Sequence, residues 1–339
     1  MHKKLIYTLV LMLLAVAFVA ACGAQPAAEP APAQPAPQEE AAAPAEEAAP
    51  AGEKVTIKLA ENPWSGSQVN VAVAKALLED QLGYTVEIVT IDENAQWPAL
   101  AAGDLHASLE VWPSGHAENV KQYIDDQGLV ENAGLLGPVG EIGWFMPTYV
   151  LEEHPDLATW EGFVDAENAK LFATAETGDK GQFLAGDPSW VQYDADIIKN
   201  LGMNFEVVTA GSEEAILAAL SAADSRKEPL VFYFWTPHSV HAQYDLTQVE
   251  LPAYSDECYA EAESGGVACA YPSDELFKIV SGDLKTVAPD AYAFLKNLNY
   301  STKDQISMIA AVELDGKTPE EAAKAWIAEN EATWKTWLP

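Results

Sequence analysis

A chain of 339 residues is too long for one compact core of ordinary size, so about two domains are expected. With 52 acidic residues against 18 basic ones its formal charge is −34, which repels nucleic acid and mildly favours cationic or zwitterionic ligands. Ten tryptophans is a high number, and several stand beside Gly or Pro instead of inside periodic apolar runs.

Residues 1–21 read as a signal peptide, with Lys3 and Lys4 as a basic start and 5–20 as an apolar stretch. Val19-Ala20-Ala21-Cys22 then puts small residues directly before a cysteine. The pattern resembles a bacterial lipobox, in which Cys22 becomes the lipidated first residue of the mature chain. An uncleaved membrane anchor over 5–21 also fits by length, though only just. Both readings put the body outside the cytoplasmic membrane, and the lipid would hold it to the outer face. Residues 22–53 are almost entirely Ala, Pro, Glu and Gln. They have no apolar face to offset the entropy of ordering, and their prolines make a disordered, extended tether.

The folded body is expected from Lys54. Val55, Ile57 and Leu59 alternate with polar residues as a strand does. A turn follows at Asn62-Pro63-Trp64-Ser65-Gly66-Ser67, then a helix to about residue 82, with Ser65 or Ser67 placed to cap it. A strand over 84–91, a helix over 97–102 ended by Gly103, and a strand over 107–111 complete a βαβαβ unit. A helix over 118–127 and a strand over 140–150 come next. Pro155, Thr159 and Trp160 then open a second unit. It comprises a short strand over 170–174, a Gly- and Asp-rich loop over 177–186, a helix opened by Asp187-Pro188-Ser189-Trp190, a strand over 205–209, a helix over 213–223 and a strand over 230–234. A long strand over 267–280 is expected to pair with 140–150 and return the chain to the first unit. The remainder is mainly helical, with Thr318-Pro319-Glu320-Glu321 as a helix start.

This order predicts a two-lobed α/β fold, each lobe a sheet flanked by helices and the two joined by hinge strands. Residues 54–150 and 266–339 would form one lobe and 151–265 the other. A ligand in the cleft would draw them together. Cys258 and Cys269 stand eleven apart. Outside the cytoplasm a disulfide is the natural reading, with two free thiols as the alternative. No cysteine or histidine lies close enough in sequence to complete a zinc set, so neither metal nor cofactor is expected.

Three stretches end alike in large aromatics beside proline: Trp112-Pro113-Ser114-Gly115-His116, Asp187-Pro188-Ser189-Trp190 and Phe234-Trp235-Thr236-Pro237-His238. A lone Trp at a strand end is more often packing than ligand cage. Three from different elements make a different case, because open α/β sheets bind ligands beyond the C-terminal ends of their strands. A quaternary ammonium has a full charge and no N–H, so aromatic faces are what a protein can offer it, at about 0.5–2 kcal/mol per face.

Together with Asn62-Pro63-Trp64-Ser65-Gly66-Ser67, these stretches resemble the periplasmic-binding-protein fold (type II-like) of glycine betaine and proline betaine substrate-binding proteins of ABC importers. The resemblance covers about residues 54–339. It implies that Trp112, Trp190 and Trp235 form an aromatic cage and that His116 helps hold a ligand carboxylate. Backbone N–H groups at Gly66 and Ser67, or just after Trp190, would share that task. His238 is the other histidine placed to reach the cleft. Trp64 and Trp144 add faces beyond three, and Glu110 and Glu141 lie near the expected mouth.

The resemblance therefore implies a monomeric, lipid-anchored protein that hands a small quaternary ammonium compound to an ABC permease for osmoprotection or nutrient uptake. Glycine betaine is the default ligand. Choline and trimethylamine N-oxide, which carry no carboxylate, are the alternatives, as is a ligand-sensing domain of the same fold. An enzyme is not expected, since the chain has neither a Gly-x-Ser-x-Gly elbow nor a His-Glu-x-x-His helix.

Overall fold

The computed structural model describes residues 54–339. The signal peptide over 1–21, Cys22 and the tether over 22–53 lie outside the described residues. No helix among the described residues is long and apolar enough to cross a membrane.

The first unit follows the expected alternation. Strand β1 (Thr56–Glu61) leads into helix α1 (Ser65–Asp80), β2 (Thr85–Thr90), helix α2 (Gln96–Ala101) and β3 (Ala107–Val111). β1 lies between β2 and β3 and is parallel to both. Its Ile57 and Leu59 are fully buried against the apolar stripe of α1, where Val69, Val73 and Leu77 recur at helical spacing. β3 is buried along its whole length, as a central strand covered on both faces must be.

Two long antiparallel strands form the middle of the sheet. β4 (Val130–Pro147) begins earlier than expected and runs for 18 residues. It pairs with both β7 (Phe232–Thr236) and β9 (Ser273–Ser281). β5 (Gly181–Ala185) and β6 (Phe205–Thr209) complete the far half, parallel to each other, and β5 is also parallel to β7. The sheet order is β2-β1-β3-β9-β4-β7-β5-β6, with the short β8 (Leu246–Gln248) attached to β4. Mixed parallel and antiparallel pairing with flanking helices is the expected α/β architecture, and β4 and β9 are its crossing strands.

The second unit departs from the sequence reading in three places. The strand expected at 170–174 is instead the end of a helix (Ala166–Leu171), whose cap Asp165 accepts from the Glu167 N–H. The strand lies in the supposed loop, at β5, because Phe183-Leu184-Ala185 is an apolar run that fills the interior. The helix expected to open at Asp187 starts only at Asp194 and runs to Asn200; residues 187–193 are loop. Asp187 caps a turn there, accepting from the Ser189 N–H at 2.7 Å.

The C-terminal helices Thr302–Glu313 and Pro319–Glu329 both start with a capping box, at Ser301/Asp304 and Thr318/Glu321, and pack on α1. Lys278 of β9 is fully buried and ties the end of the preceding helix (Pro289–Asn297) to the sheet by donating to the Lys296 and Leu298 carbonyls. Burial pushes its ammonium down to about 7. Cys258 and Cys269 are joined as a disulfide, with Cα atoms 6.4 Å apart. Its short loop limits the gain to about 3 kcal/mol in the chain-entropy account. Replacing both cysteines with serine is expected to lower the unfolding free energy by about that amount in urea denaturation; an unchanged midpoint would show that the bridge does not constrain the chain.

Candidate functional site

Four of the five tryptophans that the sequence singled out, Trp64, Trp112, Trp190 and Trp235, meet around one cavity of about 440 Å³, counting the space open to solvent. Trp112 directly follows β3, Trp235 is the penultimate residue of β7, Trp64 precedes α1, and Trp190 sits on the loop after β5. Trp190 stands edge-on to two of the others, with ring centroids 6.2 Å from Trp64 and 5.1 Å from Trp235. Tyr233, two residues before Trp235 and so on the same face of β7, adds a fifth aromatic wall.

Glycines let two of these indoles lie against the backbone. A Cβ on Gly140 would come within 2.2 Å of the Trp112 ring, and one on Gly186 within 2.4 Å of the Trp190 ring. Behind Trp235, Phe234 stacks at 4.4 Å with the planes 11° apart. All four indoles are less than a tenth exposed, so their orientations are set by packing before any ligand arrives.

Glu110 of β3 fixes the first-unit side of the cavity. One carboxylate oxygen accepts from the indole N–H of Trp64 at 2.8 Å and of Trp112 at 3.1 Å. The other accepts from the amides of Asn70 at 2.5 Å and Gln305 at 2.8 Å. Burial pushes this carboxyl up to about 7, and the four donors pull the other way. Glu110 therefore lies behind the aromatic wall rather than in it, and turns the indole edges away from the cavity.

The carboxylate that does line the cavity is Glu93, on the loop after β2. One oxygen accepts from the Val191 backbone N–H, bridging to the loop that carries Trp190. The other lies 3.2 Å from His116 Nε2. Asn119 donates to His116 Nδ1 at 3.2 Å, so Nε2 carries the proton and donates to Glu93. His116 is fully enclosed against the Trp97 ring, with centroids 5.7 Å apart. It is not part of the lining, whereas its partner Glu93 is.

Three further expected site residues are also held behind the wall. His238 is buried, accepts from the Val240 N–H at Nδ1, and lies 2.8 Å from Glu213 through Nε2. Glu213 in turn accepts from the N–H and hydroxyl of Ser65, at 2.8 and 2.7 Å, so a resident carboxylate already faces the first residue of α1. Gly66 lies under Glu110, where a Cβ would come within 2.9 Å of the carboxylate. Ser67 folds back to accept from the Asn62 N–H. The α1 N-terminus expected to receive a ligand anion is thus next to two of the protein's own acids.

Trp144 is also set apart. It is buried in β4 against Phe183, 4.5 Å away, and its indole N–H donates to Asp194 at 2.5 Å. Asp194 also accepts from the Tyr271 hydroxyl, and burial pushes it up to about 7. Glu141 pairs with Thr236 in the β4–β7 ladder, outside the lining. Residues missed in the sequence are Glu93, Tyr233 and Ile142, all of which line the cavity; Ser114 and Gly115 of the Trp112 stretch line it too, as does Val191, just after Trp190, whose N–H is taken by Glu93. Ser114 is fixed by Asp274, which accepts from its N–H at 2.9 Å and its hydroxyl at 2.7 Å. Among the described residues no cluster of His, Cys, Asp or Glu is arranged to hold a metal.

The elevated carboxyls make stability depend on pH. A group whose folded pKa is raised contributes stability fully below its unfolded value, and that contribution is lost as pH rises through the folded value. For Glu110 the window runs from about 4.5 to about 7. Glu110→Gln is therefore expected to flatten the loss of unfolding free energy between about pH 5 and about pH 8, read by urea denaturation. An unchanged slope would show that Glu110 does not titrate in that range.

Comparison with known proteins agrees with this architecture. Residues 55–329 match the family model described as the substrate binding domain of an ABC-type glycine betaine transport system. The chain is 30% identical over 296 residues to the trimethylamine N-oxide-binding protein of Pelagibacter ubique (strain HTCC1062), covering 84% of this chain and 91% of that one. The fold matches lactococcal OpuAC in its closed, glycine betaine-bound conformation, with a TM-score of 0.65, 22% identity and coverage of 84% of this chain and 99% of that one. It also matches a choline-binding protein of an ABC transporter in complex with choline, with a TM-score of 0.67, 20% identity and coverage of 83% and 91%. The chain belongs to the substrate-binding domain family of ABC-type glycine betaine transport systems, extracytoplasmic proteins that bind small quaternary ammonium ligands for an importer and are not enzymes.

Proposed function

We propose that the protein captures a compact methylated ammonium compound that lacks a carboxylate, with trimethylamine N-oxide first and choline second, inside the tryptophan cavity. The observation that carries this reading is the composition of the lining. It offers four indoles, one phenol and one carboxylate, Glu93, and no basic side chain. Aromatic faces and a nearby carboxylate suit a trimethylammonium group. The carboxylate of glycine betaine would find no cationic partner among these residues. Nor does the α1 N-terminus offer an open anion site, because Glu213 and Glu110 already lie beside it. The resemblance made glycine betaine the default; the charge pattern argues for the alternatives.

Glu93 orients the ligand's oxygen in this reading. The hydroxyl of choline would donate to it directly. The 30% identity to the Pelagibacter trimethylamine N-oxide-binding protein supports the order of preference.

In the same reading, residues 54–150 and 266–339 form one lobe and 151–265 the other, and the ligand is enclosed as they close. Support comes from the two crossing strands β4 and β9, and from the distribution of the walls, Trp64 and Trp112 on one side and Trp190 and Trp235 on the other. The sequence supports removal of residues 1–21 and lipid anchoring through Cys22 on an extended tether, and the family match supports delivery to a permease.

Trp235→Ala removes one desolvated face and its packing, so it is expected to weaken trimethylamine N-oxide or choline binding more than tenfold in calorimetry, beyond about 1.4 kcal/mol. Near-normal affinity would mean that Trp235 only packs. Truncating His116 to alanine is expected to weaken both ligands to a similar, smaller extent, because it acts through Glu93.

A further inference from the structure

A second cavity of about 540 Å³, again counting the space open to solvent, lies beside the tryptophan cavity and shares Ser114 with it. Its walls carry three tyrosines, Tyr193, Tyr254 and Tyr259, and two acids, Asp256 and Glu263. Tyr259 stands between the others, with ring centroids 5.8 Å from Tyr193 and 5.7 Å from Tyr254. The Tyr254 hydroxyl donates to Asp256 at 2.7 Å and the Tyr193 hydroxyl to Glu263 at 3.2 Å. A phenol that donates to a carboxylate has a more electron-rich ring, which strengthens its attraction for a cation. No basic side chain lines this cavity.

The cavity is built on fixed elements. Tyr259 ends the short helix Asp256–Tyr259, which Ser255 caps and which the Cys258–Cys269 disulfide ties down. Asp274 holds Ser114, the residue shared with the tryptophan cavity. Burial and neighbouring acids push the Tyr193 and Tyr259 hydroxyls up, so both rings stay neutral and present intact faces.

We propose that this tyrosine-lined cavity is an outer, weaker binding site for small methylated ammonium ions, from which they pass by Ser114 into the tryptophan cavity. The ligand class rests on the proposed function above; the site itself rests on the second cavity. Partial desolvation on tyrosine faces beside two carboxylates lets the cation lose its water in two steps. The strong negative charge of the chain concentrates cations at such a mouth. By detailed balance, a site on the route changes the rates of loading and release of the inner cavity together, and leaves its equilibrium affinity alone.

The test is stopped-flow tryptophan fluorescence with choline on the full chain, comparing wild type, Tyr254→Ala and the double variant Asp256→Asn, Glu263→Gln. Tyr254 is 41% exposed, so its truncation leaves the core in place. Both variants are expected to slow association and dissociation by the same factor, about threefold or more, with Kd unchanged. Unchanged rates, or a change confined to one of the two rates with Kd shifted, would overturn the proposal. A second measurement separates it from the fate of the inner site. Tetramethylammonium titrated into ring-labelled Trp235→Ala protein, against sodium chloride at equal ionic strength, is expected to shift the Tyr193 and Tyr259 ring signals with saturation at millimolar concentration. Saturable shifts that persist after Tyr254→Ala and the acid substitutions, or no shifts at all, would contradict an outer site whatever the inner cavity binds.

Discussion

Much of the candidate site depends on one buried carboxylate. Glu110 accepts the indole N–H groups of both Trp64 and Trp112, so two polar edges that would otherwise lie unsatisfied at the wall are turned inward. Asn70 and Gln305 complete its shell. What the cavity then presents on that side is aromatic face. An apolar residue in its place would leave four buried donors without this partner, a cost of about 1–3 kcal/mol for each left unsatisfied. Gly66 belongs to the same arrangement, because only a residue without a Cβ leaves room for the carboxylate.

The same device recurs on the other side. Asp194 takes the N–H of Trp144 and the hydroxyl of Tyr271 beneath Tyr193 and Tyr233. Glu213 joins Ser65 to His238, and Glu93 joins His116 to the Val191 backbone. Acids from one sequence unit thus repeatedly reach groups in the other, through Glu213 to Ser65 and through Glu93 to Val191. These bonds hold the two sides of the cavity at the spacing that brings Trp190 within 6.2 Å of Trp64. The acidity of the chain is therefore not only a matter of solubility: several of its carboxylates are buried where they orient aromatic rings.

The fold was legible where periodicity was strong. β3 and β6 match the expected spans, and α1 and the C-terminal helices carry the stripes and caps that announced them. β5 was misread because its Gly181-Gln182 start and the polar residues before it look like loop, while the apolar part is only three residues long. The meeting of the tryptophans was legible at Trp112 and Trp235 because each closes an expected strand, and at Trp190, whose strand β5 was misread, only through the family resemblance of its stretch. The same rule would have marked Glu93, which follows β2, and the period of two along β7 would have marked Tyr233 beside Trp235. What no local pattern discloses is the difference between a wall and its backing. His116, His238 and Trp144 have the right residue type and position along the chain, but long-range partners, Glu93, Glu213 and Asp194, hold them behind the lining. The ligand's charge pattern depends on that difference, since it replaces a histidine with a glutamate.

The central claim is that a cavity walled by tryptophans, with Glu93 and no base, selects a methylated ammonium without a carboxylate. Isothermal titration calorimetry of the protein with trimethylamine N-oxide, choline and glycine betaine under one buffer and salt condition tests it most directly. The account predicts that trimethylamine N-oxide or choline binds at least about tenfold more tightly than glycine betaine, as an unpaired carboxylate beside Glu93 requires. Glycine betaine binding as tightly as either of them, or more tightly, would contradict it.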